Sequence, residues 1–318
     1  MQDPTIIESF WDVDKDFALL GLQVLPGLIA PAGSRGRERF FQAFRNYYAT
    51  DSVKTASHLI KARFNVNKKH GVSDEDIAHF DLGVCTALLV NTVPAIWWTL
   101  FHAFSNQALL KELRHVIAAA ISRQYKSREP LTAISIDVPH IIQTVPLIDS
   151  FVKEVLRVHS NSMSARLLLQ DKVIEDDKGT SYLLKKGSFL AMPSAPVHAS
   201  TDAWGPNAST FDPARFLHLQ GDRISRSAYR AFGGGHALCP GRHFAMNEIM
   251  GILIIMVMKY DISPLDGDWS IPETRDHIST SVMTPGRDFL VRIKPREELQ
   301  YMGGNFVWRF QKRTGRSE

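Results

Sequence analysis

The chain has 318 residues, with 37 Lys plus Arg against 33 Asp plus Glu and a formal charge of +4. Hydrophobic residues make up 44% and charged residues 22%, which is enough apolar mass for a sizeable core and excludes a disordered, collagen-like or coiled-coil chain. The small positive surplus is spread thinly rather than gathered into a nucleic-acid footprint, and two cysteines cannot build a disulfide framework.

In chain order, the first third reads as helices. The opening residues have no basic segment followed by an apolar core and a small-residue cleavage site, so neither a signal peptide nor an anchor is expected in them. An amphipathic pattern begins around 10–25, and apolar residues recur at helical spacing over 17–29, 40–48 and 57–64, with breaks expected at Pro31-Ala32-Gly33 and over 68–71. Ser73, followed by Asp74, Glu75 and Asp76, predicts an N-cap with acidic residues in the first turn. From 82 to 104 the sequence holds no Asp, Glu, Lys or Arg. Such a run is long enough to span a bilayer. Asn91, Thr92 and Pro94 interrupt it, and acidic residues flank its start, so it is read as a helix buried through the centre of a large domain.

Helices are further expected over 106–124 and 145–159. The period then shortens: 166–174, 180–184 and 188–192 read as strands, separated by turns at 176–179 and 185–187. Residues 204–230 are rich in Pro, Gly, Asn, Asp and Ser and are expected to be irregular. A helix over 241–259 and a late strand over 289–293 follow. No composition shift marks a second domain. Residues 1–296 are therefore read as one mainly α domain with a small β portion. Residues 297–318, with Lys312, Arg313 and Arg316, are read as a polar, solvated tail.

The richest stretch is Phe232-Gly233-Gly234-Gly235-His236-Ala237-Leu238-Cys239-Pro240-Gly241-Arg242-His243-Phe244-Ala245. Consecutive glycines let the backbone fold tightly and approach a flat ligand. Pro240 suits a first helical turn, which puts Cys239 at a helix start, where the macrodipole favours a thiolate. A thiolate with no cysteine or histidine partner at zinc spacing suits one axial bond to haem iron. Cys85, inside the uncharged run, reads as a small core residue.

The arrangement Phe-x-x-Gly-x-x-x-Cys-x-Gly-x-x-x-Ala resembles the haem-binding signature of the cytochrome P-450 haem-thiolate monooxygenases. Three further features agree in order. Glu154-Val155-Leu156-Arg157 is similar to the family's Glu-x-x-Arg. Phe211-Asp212-Pro213-Ala214-Arg215-Phe216 is similar to its Phe-x-Pro-x-Arg-Phe. The uncharged helix takes the place of the central helix over the haem. The resemblance implies the cytochrome P-450 fold and a buried ion network of Glu154, Arg157 and Arg215 behind the cysteine loop. It also implies haem b held by Cys239, with Phe232, Gly235 and Gly241 lining it and Arg166 on a propionate.

Two departures stand out. On this alignment Val93 and Pro94 replace the family's proton-relaying acid and Thr, and Asn91 is the polar group expected to orient the distal water or oxygen. Ala237 stands where most members carry a basic residue for a propionate. The string Asn91-Thr92-Val93-Pro94-Ala95 resembles the branch of sterol 7α- and 12α-hydroxylases and, more loosely, prostacyclin synthase. The second departure is length: only the C-terminal two-thirds of the family pattern is covered, so the chain is read as N-terminally truncated and expected to hold haem weakly. By resemblance the function is a monooxygenase acting on a hydrophobic, sterol- or terpenoid-like molecule with O2. Its partner would be a separate NADPH-dependent reductase, since no nucleotide-binding motif is present, docking near Arg242 and His243. The location implied is the endoplasmic reticulum membrane. A peroxide-rearranging isomerase or dehydratase, and a non-catalytic haem-binding fragment, are the alternatives.

Overall fold

A computed structural model describes residues 4–50, 52–124, 133–218, 227–275, 279–296 and 305–309. Described residues up to Val93, with Ser279 and Thr280, form one compact unit, and the others form a second.

The first unit is helical. Helix α1 (Pro4–Lys15) packs on α4 (Pro31–Ala49), with the short α2 (Phe17–Gly21) and α3 (Pro26–Ile29) between them. The helical spacing expected through 29 is thus broken, at Gln23 and Leu25, which adopt positive φ before Pro26. Pro31 opens α4 instead of ending a helix, because its missing N–H falls where no intrahelical partner exists. Gly33 and Gly36 lie inside α4 and are buried. A Cβ on Gly36 would stand 2.6 Å from the Ser9 carbonyl oxygen of α1. Gly36→Ala is therefore expected to cost about 1–3 kcal/mol through forced separation of the two helices. Gly83→Ala, where a Cβ meets nothing within 4 Å, should be neutral or stabilise by up to about 1 kcal/mol. Urea unfolding midpoints of the two variants check the opposite signs.

Helix α5 (His58–Lys69) and α6 (Asp74–Leu89) complete the unit. Ser73 caps α6 as expected, its hydroxyl accepting from the Asp76 N–H at 3.1 Å. The core gathers Phe10, Val13, Phe40, Phe44, Ala78 and Leu82. Asp81 is buried at its edge, accepts from Arg63 Nη2 at 2.8 Å and from the Tyr48 hydroxyl, and burial pushes its carboxyl up to about 6.

The uncharged run is not one continuous helix. Helix α7 (Thr92–Ser105) begins after a break at Val90-Asn91. Pro94 explains the break, since it offers no N–H to the Val90 carbonyl and its ring crowds that oxygen. By length and composition 74–105 could cross a membrane. The expected burial holds for Ala95, Trp98, Thr99, Phe101, Ala103 and Phe104 of α7, whereas Val93 in its first turn and Leu89 at the end of α6 are exposed.

The second unit is built on α7, α8 (Gln107–Gln124), α9 (Val138–Thr144), α10 (Pro146–His159) and, later, α14 (Arg242–Lys259). Their apolar faces form one core: Trp98, Phe104, Leu113, Ile117, Ile148, Phe151, Leu253 and Ile254 are almost fully buried. Small two-stranded sheets lie outside it. Strand β1 (Ala133–Asp137) pairs in parallel with β10 (Asn305–Arg309). Residues 305–309 of the expected tail are thus a strand, and its remainder, 297–304 and 310–318, lies outside the described residues.

The single strand expected over 166–174 is two strands in different sheets. Strand β2 (Met163–Leu167) pairs antiparallel with β5 (Phe189–Pro193), and β3 (Lys172–Glu175) pairs with β4 (Ser181–Leu184). The chain turns between them because the Asp171 carboxylate accepts the Lys186 N–H at 2.7 Å and the Leu168 carbonyl accepts the Gly187 N–H at 2.8 Å. Short helices α11 (Ser194–His198), α12 (Thr201–Trp204) and α13 (Arg215–His218) follow, within a stretch that is otherwise irregular as expected. Strand β6 (Tyr260–Pro264) pairs with β9 (Val291–Pro295), two residues later than the sequence placed it, and β7 (Thr274–Arg275) pairs with β8 (Thr284–Pro285).

Candidate functional site

Helix α10 carries Glu154 and Arg157 three residues apart on one face, and both are buried, at 0% and 3% exposure. A carboxylate at that depth persists as an ion only where a cation and further hydrogen bonds satisfy its lone pairs. Arg157 forks onto it, Nε to Oε2 and Nη2 to Oε1, each at 2.7 Å. Arg215 at the start of α13 brings its Nε within 3.0 and 3.1 Å of the two oxygens, and the Asp212 N–H donates to Oε1 at 3.0 Å. The spare guanidinium hydrogens find backbone carbonyls: Arg157 Nη1 on His198 at 2.6 Å, and Arg215 Nη2 on Asn207 and Thr210 at 2.9 and 2.7 Å. Trp204 lies 5.3 Å from the Arg157 guanidinium, in cation–π range. The three residues expected to form a network are therefore brought together. Sequence reading missed Asn207, Thr210 and His198: their backbone carbonyls leave no signature in residue type, and the Asn207 Oδ1 that accepts from Arg215 Nη1 at 3.1 Å belongs to no spacing pattern.

His198 links this network to the cysteine loop. Its carbonyl holds Arg157, and its ring Nε2 accepts the Arg230 N–H at 2.9 Å. Burial lowers this imidazole to about 4, so it stays neutral and able to accept.

The loop itself closes tightly. The Gly233 N–H donates to Arg230, and the Cys239 N–H donates back to Phe232, both at 2.9 Å. Gly233 and Gly235 have φ of +76° and +59°, a region that favours glycine. A 3-10 turn over Gly235–Ala237 leads to Leu238, and the Cys239 carbonyl accepts from the Arg242 N–H and side chain as α14 begins. Cys239 is a free, half-buried thiol. Around it Leu238, Pro240, Gly241 and Phe244 are exposed, and Phe232 packs onto the core. A Cβ on Gly241 would stand 3.7 Å from Cys239 Sγ, in ordinary contact, and so would take up space directly beside the sulfur.

The residues present fit a haem with one thiolate ligand. Among the described residues no group of three His, Cys, Asp or Glu could hold a bare metal ion, so the donor set around Cys239 is a single sulfur. The other cysteine is unsuited: burial and the Asp81 carboxylate push the Cys85 thiol up to about 11, keeping it protonated.

Arg166 lies on β2 opposite Leu190, exposed, with Nη1 on the Ala165 carbonyl at 2.8 Å. Asn91 stands half-buried at the break before α7, in the other unit. Sequence reading also missed a ring stack that ties α7 to α10. His102 and His159 share a hydrogen bond between their Nε2 atoms at 2.8 Å. His159 stacks on Trp98 at 3.8 Å and His102 on Phe211 at 4.0 Å. Trp98 Nε1 and the His159 carbonyl grip the two backbone groups of Met283.

Comparison with known proteins agrees with this arrangement. The family model described as Cytochrome P450 matches residues 38–291. Cytochrome P450 monooxygenase nodJ of Hypoxylon pulicicidum is 28% identical over 300 residues, 92% of this chain and 58% of that protein. Cytochrome P450 7A1 of Oryctolagus cuniculus is 27% identical over 311 residues, 91% of this chain and 59% of that protein. Cholesterol 7-alpha-monooxygenase of Cricetulus griseus is 28% identical over 303 residues, 91% of this chain and 58% of that protein. The chain thus spans less than two thirds of the length of these relatives. Its mainly helical fold, the Glu154–Arg157–Arg215 network, the glycine-rich cysteine loop and the extent of the match together place the chain in the cytochrome P450 family.

Proposed function

We propose that the chain is the haem-binding part of a monooxygenase that inserts one oxygen atom of O2 into a hydrophobic, sterol- or terpenoid-like molecule. The observation that carries this reading is the free, half-buried Cys239 on a loop tied through His198 to a buried ion network. Haem b supplies the oxygen-activating chemistry when bound, and a thiolate ligand favours O–O cleavage. Cys239 is assigned as that ligand, with Phe232, Gly235 and Gly241 lining the cofactor and Arg166 meeting a propionate. Electrons come from a separate NADPH-dependent reductase docking near Arg242 and His243. Residence at the endoplasmic reticulum membrane follows from the family resemblance alone.

The decisive experiment is the reduced carbon-monoxide difference spectrum of the haem-loaded chain. A red-shifted Soret band of thiolate ligation is expected, lost in Cys239→Ser and kept in Cys85→Ser. A band that survives Cys239→Ser overturns the assignment.

Asn91 is assigned to orient the distal water or oxygen, where Val93 and Pro94 have no proton to give. Asn91→Ala is expected to divert reducing equivalents into peroxide several-fold; unchanged coupling removes the role. The same Val93 and Pro94 favour a second reading, a peroxide-rearranging enzyme. Turnover of a lipid hydroperoxide without NADPH or reductase would select it.

A further inference from the structure

We infer that Arg230 is an anion-binding residue of the cysteine loop and pairs with a carboxylate of the porphyrin, supplying the charge that Ala237 does not. The inference rests on the haem-thiolate reading of the loop. It begins from a guanidinium that the fold positions and that, among the described residues, meets no acceptor. The Arg230 backbone is fixed at both ends: its N–H donates to His198 Nε2, and its carbonyl accepts from the Gly233 N–H at 2.9 Å and the Ser162 hydroxyl at 3.4 Å. The side chain folds back over that turn. A Cβ on Gly234 would stand 3.3 Å from Nη2, 3.5 Å from Cζ and 3.7 Å from Nη1, so the loop is glycine where the guanidinium lies on it.

Arg230 is half-buried, and among the described residues its guanidinium has neither a hydrogen-bond acceptor nor an ion-pair partner. Asp202 borders the same cavity of about 560 Å³ without pairing to it. The neighbouring cations are otherwise placed. Arg157 is spent on Glu154, and Arg242 Nη1 is on the Cys239 carbonyl. A cation half out of water with no counter-charge is unfavourable, and so is a porphyrin carboxylate entering an apolar slot. Each answers the other, through a charge-assisted hydrogen bond of the kind guanidinium makes best.

The test is titration of the intact chain with haem and with its dimethyl ester, which keeps the ring and iron but removes both negative charges. Binding is followed by the Soret band and by quenching of tryptophan fluorescence. Arg230→Gln is expected to weaken haem binding about 10- to 100-fold, the loss a hydrogen bond to a charged group carries, and to leave the dimethyl ester within about twofold. Adding Ala237→Arg to that variant should restore most of the affinity for haem and none for the ester. Arg230→Lys, which keeps the charge should the glutamine variant fail to fold, is expected to retain the preference for haem over ester. Equal losses for the two porphyrins, or no loss, overturn the inference while leaving Cys239 as the ligand. A wild-type chain that binds haem without a thiolate spectrum overturns the parent reading, and with it this one.

Discussion

Glu154→Ala is expected to destabilise the chain by about 3–5 kcal/mol, because it leaves two guanidiniums buried beside an uncompensated hole. Arg157 and Arg215 are each only 3% exposed, and Glu154 is the carboxylate both of them use. The Asp212 N–H loses its acceptor as well, so the segment carrying Arg215 is released with it. Glu154→Gln separates shape from charge. It fits the same space and can still accept one hydrogen bond, but its amide nitrogen faces donors, so a loss of similar sign and smaller size is expected. Replacing all three residues with apolar side chains of similar volume should cost less than removing the carboxylate alone, since the desolvated charges then disappear together. Urea unfolding of these variants provides the measurement, with Lys153→Ala, on a partly exposed Asp149 pair, as the control expected to change little. A Glu154→Ala loss no larger than that of Lys153→Ala would show that the network is dispensable for stability. The loop should feel the change too, since Arg157 anchors His198 and His198 anchors Arg230.

The parts of this site that were legible in the sequence are those whose chemistry requires a residue type. A glycine at positive φ and a lone cysteine before a helix each leave a trace in spacing, whereas Glu154 and Arg157 three residues apart read alone as an ordinary surface pair and enter a buried network only through the resemblance. Arg215 was reachable only through a resemblance, because nothing in its local pattern says that it meets Glu154, 61 residues away. Most of the polar groups that finish the network are backbone carbonyls and the Asp212 N–H, which no residue type announces; the Asn207 side chain, whose Oδ1 accepts from Arg215 Nη1 at 3.1 Å, lies eight residues from its partner with no local pattern to mark it. Helix ends were blurred for a physical reason: Pro31 and Pro94 carry the same lack of an N–H, yet one opens a helix and the other breaks it, according to whether a carbonyl stands four residues back in helical geometry. The strand expected over 166–174 was split by Asp171 accepting a distant N–H, a tertiary contact with no local signal. The His102–His159 pair was invisible for a similar reason, its members lying 57 residues apart on separate helices.

Below pH 6.5 the second unit is expected to lose stability steeply, and its buried imidazoles are the cause. His102 and His198 are each lowered from 6.5 to about 4, and His159 further still, all chiefly by burial. At His198 a backbone hydrogen bond with Arg157 opposes the shift, as Glu154 does at both His102 and His198, while the charges of Arg157 and Arg230 add to it at His198. For His159 the neighbouring His102 adds to the effect of burial. The sign follows from proton counts. Between about pH 4 and 6.5 the unfolded chain binds protons at these positions and the folded chain does not, so acid favours unfolding. The penalty is absent above 6.5, grows as pH falls, and for His102 and His198 stops growing once they protonate in the folded state near 4. Each pH unit is worth about 1.4 kcal/mol per group, which makes the penalty on the order of 3 kcal/mol apiece at most. Asp81 works the other way in the first unit: raised from 3.8 to about 6, it holds an extra proton when folded in that window and stabilises as pH falls. Urea unfolding from pH 7.5 to 4.5 tests the balance, with Trp98 as a local reporter because it stacks on His159. His102→Gln and His198→Gln should each flatten the profile by about one proton, the glutamine oxygen of the second still able to accept the Arg230 N–H. A stability that stays level or rises toward pH 4.5 would mean that these rings are not held neutral by their surroundings.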